Sequence, residues 1–434
     1  MWLKWLGKQF KSALLISNTL VAIVSAAAMA QQDTGFEPPY PWPDSYNSYN
    51  GSQFSSSGFL RLDTALMTDL LDFQNQQTEK QIWLIESGAA YDTTTLIVGS
   101  QLRSSLLFAG TNRENKFPYL GRFPPDFTGS SASDARLLHA NVALAGHFTP
   151  AFHAYLETLF SDVFTFPAFN QGSFQMRQAY VAIGNFDVSP FYVFVGKKTV
   201  SFGDMSTLSP FSQSTVWHYF SPLAEEAGIG YSANGLNITA TALNGGRGIR
   251  VVRSPAKGKL NNFAVNASWE QRFPVGWYKI GAGYLHGTIY DLTVAEHLNF
   301  NAFGERNPAW NANVRAGIRA WEFGAEFTQT LHAWPVTNEQ VTAYRTEMAV
   351  VLPYFSVPSR LSASWSEGIQ GPSGSQFEFN RQLVVGLAMQ LNQHALLTTE
   401  YVQSLGFAPL INITTVSDRS VHQHSAVIGL VLVL

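Results

Sequence analysis

Residues 262–273 read NFAVNASWEQRF, and the fold can be argued from the alternation within them. Phe263, Val265 and Trp269 lie at alternating positions, and the residues between them include Asn266 and Glu270. Successive side chains of a β-strand point to opposite faces, so this pattern predicts a strand with one apolar and one polar face. The same period recurs in residues 278–284, 310–319 and 321–328, which indicates a series of such strands.

A second test separates a membrane barrel from a soluble β-protein, because strands alternate in both. A soluble barrel turns its apolar face inward and fills the interior with packed side chains. Here the polar face carries charges such as Arg315 and Glu326, while aromatic residues such as Phe148, Phe152 and Phe273 flank short turns. Polar interiors and aromatic girdles are typical of outer-membrane barrels. The sequence therefore predicts an all-β fold, a transmembrane antiparallel β-barrel.

The N-terminus has the features of a secretory signal. A basic region with three lysines is followed by the mostly apolar residues 13–24 and by Ala-Met-Ala at residues 28–30. The apolar core is short for a membrane helix, which needs ~20 residues. We therefore expect residues 1–30 to be a signal peptide that is cleaved after Ala30.

The composition excludes several classes of function. The chain has 434 residues, of which 46% are hydrophobic, 14% aromatic and only 13% charged, as suits a wall that faces lipid. It has no cysteine, which excludes disulfides and argues against cysteine-based redox or zinc function. Loss of the three signal-peptide lysines lowers the formal charge from −3 to −6, which offers no electrostatic footprint for nucleic acid.

The rest of the chain divides into a leader and a barrel. Residues 31–54 are rich in Pro, Ser, Asn and Tyr and lack periodicity, so we predict a flexible periplasmic leader, too short to fold as a lumen plug. Residues 55–434 form the predicted barrel, with about 16–18 strands that each approach the ~9–11 residues of a tilted membrane strand.

The connections between the predicted strands alternate in length. Residues 149–150, 234–235 and 319–320 are short connections, whereas residues 197–225 and 331–340 are long ones. This alternation is typical of a single-chain barrel with short periplasmic turns and long outer loops. Both termini then lie on the periplasmic side, which requires an even number of strands.

The polar strand faces supply candidate pore-lining residues. They are Arg177, Lys197, Lys198, Glu270, Arg272, Lys279, Arg315, Arg319, Glu322, Glu326, Arg345 and Glu347. Rings of charged side chains set which solutes pass, so these residues are candidates for a selectivity lining. They are equally consistent with a salt-bridged, solvated interior, because any wide barrel needs a polar inner face.

Residues 197–225 are the most suggestive connection because they are long and rich in aromatic residues. The candidate constriction residues in this region are Asp204, Trp217, His218, Glu225 and Glu226. One interpretation is a loop that folds into the lumen as a constriction or binding shelf. The other is a surface loop, which is the usual position of long outer loops in these barrels.

The sequence offers no constellation for catalysis or metal binding. An enzyme needs a nucleophile, a base and an orienting group within mutual reach, and residues 146–149, Gly-His-Phe-Thr, lack the serine of a barrel lipase. His422 and His424 share a strand face, but two ligands do not make a metal site. We expect no enzyme activity, no cofactor and no metal.

Two segments carry a resemblance to a known family. RQAYVAIGN at residues 177–185, followed by PFYVFVGKKTVSFG at residues 190–203, resembles the central motif of LbtU-family siderophore porins, and so does AEEAGIGY at residues 224–231. The resemblance implies a monomeric barrel that takes up a ferric siderophore without a lumen plug. Such proteins often carry a polar helical segment before the barrel, where this chain has only residues 31–54. No ligand-binding residue is carried over from the family.

These observations predict an outer-membrane channel that passes a siderophore or a similar small polar solute by facilitated diffusion. The alternatives are a general nutrient porin and a closed barrel whose surface loops serve binding or adhesion. The expected partners are outer-membrane lipid, lipopolysaccharide, the barrel assembly machinery and the transported solute, with no nucleic acid. A monomer is the expected oligomeric state.

Overall fold

The computed structural model describes the greater part of the chain from residue 59 onward. The described residues are 59–75, 79–91, 94–117, 128–161, 173–244, 260–291, 306–335, 337–353, 355, 357–372, 380–406 and 419–434. The predicted signal peptide, residues 1–30, and the predicted leader, residues 31–54, lie outside them.

The described residues form seventeen strands and three helices. The strands are β1 (Leu60–Leu62), β2 (Thr95–Thr111), β3 (Ser131–Thr149), β4 (Phe152–Ser161), β5 (Ser173–Ile183), β6 (Phe191–Thr199), β7 (Leu223–Ala233), β8 (Leu236–Asn244), β9 (Leu260–Phe273), β10 (Gly276–Leu285), β11 (Ala309–Ile318), β12 (Trp321–Trp334), β13 (Glu339–Leu352), β14 (Ser359–Ile369), β15 (Asn380–Asn392), β16 (Ala395–Leu405) and β17 (His422–Val433). The helices are α1 (Thr64–Leu71), α2 (Lys80–Gly88) and α3 (Thr215–Phe220).

Strands β2 to β17 close into a barrel. Each pairs antiparallel with the next strand in the chain, and β17 pairs with β2 from Gln423 opposite Thr111 to Val433 opposite Gln101. The predicted antiparallel barrel is confirmed, with sixteen strands in its wall. Among the described residues, no helix is long and apolar enough to cross a bilayer.

The two faces of the wall follow the sequence alternation. On β9, Phe263 and Val265 are 43% and 40% exposed, whereas Asn266 is only 4% exposed. The side chain of Asn266 accepts a hydrogen bond from the backbone N–H of Gly203, which lies in the connection between β6 and β7 inside the barrel. The apolar face therefore points outward and the polar face inward, as the pattern predicts.

The strand connections are short at one end of the barrel and mostly long at the other. The turn between β7 and β8 is Asn234-Gly235, and both residues have positive φ, 53° and 77°, as a tight hairpin turn requires. We call this end the short-turn end and the opposite end the long-loop end. One expected long connection differs, because β12 ends at Trp334 and β13 begins at Glu339, so that only four residues separate them.

The described residues before the barrel differ from the expectation of strands from about residue 55. They form β1, α1 and α2, and the first strand of the wall begins at Thr95. The reason is local: Leu66 and Leu70 recur at the helical period, and the side chain of Asp63 caps α1 by accepting the N–H of Leu66 at 3.0 Å. The ammonium of Lys80 then donates to the carbonyl of Leu70, at the C-terminal end of α1.

The short strand β1 lies at the seam of the barrel. It runs parallel to β2, with Leu60 opposite Leu96 and Leu62 opposite Val98. The pairing of β17 with β2 ends just beyond this point, at Gln101. Strand β1 therefore pairs with a part of β2 that the C-terminal strand does not cover.

Candidate functional site: the barrel interior

Two segments of the chain occupy the interior of the barrel. The first, which we call the N-terminal segment, is the described part of residues 59–91 (59–75 and 79–91), with β1, α1 and α2. The second, which we call the inward loop, comprises residues 200–222 between β6 and β7 and includes α3. Nearly every residue of the inward loop is buried. The connection between β6 and β7 therefore lies inside the barrel and is not a surface loop.

Three wall carboxylates hold the backbone of the inward loop. They are Glu326 on β12, Glu347 on β13 and Glu400 on β16. Glu326 accepts hydrogen bonds from the N–H groups of Asp204 and Met205 at 2.9–3.2 Å. Glu347 accepts from the Thr207 hydroxyl and the Leu208 N–H at 2.8 and 2.9 Å. Glu400 accepts from the N–H groups of Phe211 and Ser212 and from the Ser212 hydroxyl at 2.6–3.0 Å. Hydrogen bonds to a charged acceptor are about twice as strong as neutral ones. These glutamates therefore fix the path of the loop.

Arg345 joins this arrangement at the centre of the wall. It is 1% exposed and pairs with Asp204 of the inward loop at 2.5 Å, with Glu326 at 2.9 Å and with Glu347. One cation thus links three carboxylates from a loop and two strands. Loss of this guanidinium would leave the three buried carboxylates facing one another without a cation, and a buried charge without a partner is strongly destabilising.

A second group of charges continues the network toward the short-turn end. Arg315 donates to Glu322 at 2.6 Å, and Arg360, which the sequence analysis did not single out, lies 3.3 Å from the same carboxylate. Arg315 also lies 3.9 Å from Asp204. Burial alone would raise the pKa of Asp204, but the guanidinium groups of Arg315 and Arg345 outweigh it and hold that pKa below its usual value.

The N-terminal segment packs on a different part of the wall. Helix α1 contacts β2, β3 and β17, and α2 contacts β3, β4 and β5. The buried cluster between the helices and the wall is apolar: Leu66, Met67, Leu70, Leu71, Ile82, Trp83, Leu84 and Ile85 meet Ala143, Ala145, Tyr155, Tyr180, Ala182, Tyr192 and Phe194. This part of the inner face of β3 to β6 is thus matched to apolar helices, whereas the same strands also turn Glu157 and Lys198 inward.

The two segments meet inside the barrel. The amide of Gln74 donates to the carbonyls of Ser209 and Ser212 at 2.8 and 3.1 Å, and the amide of Gln213 donates to the carbonyl of Phe73 at 2.5 Å. The side chain of Arg103 on β2 donates to Gln74 at 2.8 Å. These contacts join the N-terminal segment to the inward loop directly.

A small polar cleft lies beside this junction. Its volume is about 10 Å³, and it is lined by Glu79, Gly203, Asp204, Asn266, Ser268, Lys279 and Asn313. The ammonium of Lys279, a predicted pore-lining residue, lies 3.5 Å from the carboxylate of Glu79. Among the described residues, no group of three or more His, Asp or Glu side chains is arranged to hold a metal ion.

Other predicted residues also face the interior. Lys198 pairs with Glu226 at 3.2 Å, and both are buried. Arg177 pairs with Glu157 at 2.7 Å, and Trp217 and His218 are buried on α3. Sequence reasoning missed Glu79, Gln74 and Arg103 as members of the site. The sequence could have indicated Arg103, because this residue lies on a strand with the two-residue period. Gln74 and Glu79 lie in the helical region, which the sequence did not indicate.

Four predicted site residues lie outside the buried interior of the barrel. Lys197 is on the strand face of the exposed Val193 and Val195, and Glu225, opposite Lys197 on β7, is on that outer face too. Arg319 is an exposed residue of the turn between β11 and β12, with φ of 54°. The side chain of Arg272 is 40% exposed and pairs with Glu270 at 2.8 Å, close to the turn that joins β9 and β10. The charged residues that remain on the inner wall include the network around Arg345 and Arg315 and three separate pairs, Lys198–Glu226, Arg177–Glu157 and Lys279–Glu79.

Comparisons with known proteins agree with this architecture. A family model described as "Protein of unknown function (DUF3573)" matches residues 145–302, and no curated protein matches the chain in sequence. One similar solved structure is the outer-membrane channel DcaP of Acinetobacter baumannii, with 11% identity, coverage of 79% of this chain and 98% of that chain, and a TM-score of 0.51. A second is the anion-selective porin from Comamonas acidovorans, with 9% identity, coverage of 79% of this chain and 100% of that chain, and a TM-score of 0.52. A third is OprB of Pseudomonas putida, with 10% identity, coverage of 84% of this chain and 100% of that chain, and a TM-score of 0.52.

These similarities concern the fold, because the sequence identities are low. The chain shares the barrel fold of these three outer-membrane channels. The finer resemblance to LbtU-family siderophore porins, carried by residues 177–203 and 224–231, stays a prediction.

Proposed function

We propose that this protein is a channel of the outer membrane that passes small polar solutes by facilitated diffusion. The observation that carries the proposal is the inward loop, held across the interior by Glu326, Glu347 and Glu400. A porin-type wall with such a loop inside it is suited to restrict passage by size and charge. The apolar outer face, with exposed residues such as Phe263 and Val265, supports contact with membrane lipid.

Deletion of residues 207–214 tests the constriction. The deletion removes the loop residues that Glu347 and Glu400 hold, so single-channel conductance in a planar lipid bilayer should rise above that of the full chain. An equally long deletion in the connection between β16 and β17 is the control for the loss of eight residues. Unaltered conductance in a folded 207–214 deletion would argue against the constriction.

Arg315 tests whether the inner charges set ion selectivity. It lies on the inner face, whereas Arg319, four residues later, is exposed in a turn. The Arg315→Gln variant should shift the reversal potential in a salt gradient toward cations, and Arg319→Gln should shift it much less. Equal shifts in the two variants would mean that the interior near Arg315 does not control selectivity.

The substrate class rests on the resemblance alone. We propose a ferric siderophore as the transported solute, with a general nutrient porin as the alternative. The comparison is the current of the open channel with and without added ferric siderophore. Concentration-dependent blockade by the chelate, and none by the iron-free siderophore, supports the first; indifference to both supports the general porin.

Three further expectations belong to the same proposal. The signal peptide, residues 1–30, is tested by the intact mass of the exported protein, and a retained N-terminus would exclude cleavage after Ala30. Recovery of the folded chain with outer-membrane lipid and lipopolysaccharide tests the location. The mass of the purified particle tests the expected monomer.

A further inference from the structure

We propose that the N-terminal segment, residues 59–91, is a plug that holds the channel closed, and that solute passes only when its contact with the inward loop is released. The proposal rests on the proposed channel function and adds a gate to it. The N-terminal segment lies outside residues 31–54, which are too short to fold as a lumen plug.

The first argument is coverage of the inner wall. Helices α1 and α2 contact β17 and β2 to β5, and Gln81 on α2 reaches Tyr192 on β6 at 3.3 Å. The inward loop contacts β9 through Asn266 and β12 to β16 through α3 and the three glutamates. The tip of the N-terminal segment reaches the remaining side, where Glu79 contacts Lys279 on β10. The two segments together line most of the circumference.

The second argument is that the wall is shaped to receive the N-terminal segment. The Cβ of an alanine at Gly99 on β2 would lie 2.3 Å from Cγ of Met67, so only glycine leaves room for α1 at this point. The neighbouring inner face carries Tyr155, Tyr180 and Phe194. Interiors of outer-membrane channels are polar because they hold water, so an apolar inner face of this kind requires a cover.

The third argument identifies the part that can release. The inward loop is tied to the wall by three carboxylates, whereas its junction with the N-terminal segment is held by neutral amide–carbonyl bonds at Gln74 and Gln213 and by one cation, Arg103, which donates to Gln74 and to the Phe211 carbonyl. Neutral hydrogen bonds are weaker than bonds to charged groups. With one charged group against the three carboxylates that tie the loop to the wall, the junction is the point at which the two segments separate most readily, while the apolar base of α1 and α2 stays attached.

Two variants test the plug by opening it. The first lacks residues 59–91, and the second is the double substitution Gln74→Ala with Gln213→Ala, which leaves the apolar cluster intact. Folding is monitored by the heat-dependent shift in gel mobility that folded outer-membrane barrels give. In planar bilayers the full chain should be closed for most of the time, the double variant should open more often, and the deletion should give steady current several-fold larger. Gln390→Ala, at an exposed strand end, is the control for loss of an amide.

A third variant tests the plug by locking it. The chain has no cysteine, so Asn75→Cys with Ser206→Cys introduces a single cysteine pair, at positions where Oδ1 of Asn75 and Oγ of Ser206 lie 3.3 Å apart. Oxidation should abolish openings and a reductant should restore them, whereas neither single-cysteine variant should respond.

The outcomes separate the gate from the channel. Equal current from the full chain and from the folded deletion would overturn the plug and leave the channel proposal standing. Full conductance of the oxidised pair, with the disulfide verified by mass, would also overturn the plug. If the full chain and the folded deletion are both electrically silent, the channel proposal itself fails.

Discussion

The inner wall of this barrel is built in two chemically different parts. Strands β3 to β6 turn apolar residues such as Tyr155 and Tyr192 toward two helices, whereas β12, β13 and β16 turn carboxylates such as Glu326 and Glu400 toward an irregular loop. Each part matches the needs of the segment that covers it. A helix satisfies its own backbone hydrogen bonds and presents apolar side chains, so an apolar wall suffices.

The loop has the opposite requirement. Residues 203–212 lie outside any helix or strand, so their backbone N–H groups need acceptors once they are buried. An unsatisfied buried donor costs about 1–3 kcal/mol, which is why the wall supplies acceptors at regular intervals along the loop. Glu326 and Glu347, which the sequence offered either as a selectivity lining or as part of a salt-bridged interior, thus hold the loop together with Glu400.

The largest expected effect is that of removing the cation from the polar part of the wall. Arg345→Met leaves Asp204, Glu326 and Glu347 buried without their shared partner, and should lower the free energy of unfolding by about 3–5 kcal/mol. Urea unfolding of the detergent-solubilised barrel measures this loss of unfolding free energy. Arg272→Met is the matched control, because its side chain is 40% exposed and an exposed pair contributes less than about 1 kcal/mol. Similar losses in both variants would mean that burial of Arg345 is not what matters.

The next effect concerns the apolar part of the wall. Leu84 on α2 is fully buried, so Leu84→Ala should weaken the docking of the N-terminal segment by about 2–5 kcal/mol. The measurement is the rate of proteolytic cleavage within residues 59–91 under native conditions. Leu361→Ala, on the exposed outer face of β14, should leave that rate unchanged. Equal protection in the wild type and Leu84→Ala would show that the helices are not held by this apolar packing.

A smaller effect is expected where one carboxylate holds the loop. Glu400→Gln removes the charge that accepts the Phe211 and Ser212 N–H groups, and hydrogen bonds to charged groups contribute about 1.5–3 kcal/mol. The variant should show a lower unfolding free energy and a noisier open-channel current. Glu339→Gln, exposed at the end of β13, should show neither change. Unchanged unfolding free energy and unchanged current noise in Glu400→Gln would contradict the role of this glutamate in holding the loop.

The barrel itself could be predicted because its wall follows a two-residue period that sequence displays directly. The same period should have corrected two assignments. Lys197 and Lys198 are consecutive, as are Glu225 and Glu226, and consecutive residues of a strand cannot both face the lumen. The structure turns Lys198 and Glu226 inward and the other two outward.

The helices were missed for a different reason. Residues 64–71 and 80–88 are short apolar runs, and such runs are ambiguous between helix and strand when the neighbouring sequence is read as strands. The path of the inward loop was beyond reach for a third reason. Alternation shows that Glu326, Glu347 and Glu400 face the interior, but their loop partners are more than one hundred residues away in sequence.

The smallest effect tests the fit between the wall and α1 at a single atom. In Gly99→Ala the new Cβ would lie 2.3 Å from Cγ of Met67, and overpacking of this kind costs about 1–3 kcal/mol. Gly110→Ala, on the same strand, has no atom within 4 Å of its new Cβ and should change the unfolding free energy by no more than about 0.5 kcal/mol.

The cost at Gly99 should depend on its partner. In the Met67→Ala background the side chain loses Cγ and the sulfur, so the added penalty of Gly99→Ala should shrink, and the double-mutant cycle should give a non-zero coupling energy. Additive losses at Gly99 and Met67 would mean that α1 does not press on β2 in the folded protein. Loss of the Gly99→Ala penalty when residues 59–91 are deleted would show that the penalty comes from the N-terminal segment, and so would tie the glycine to the apolar part of the wall.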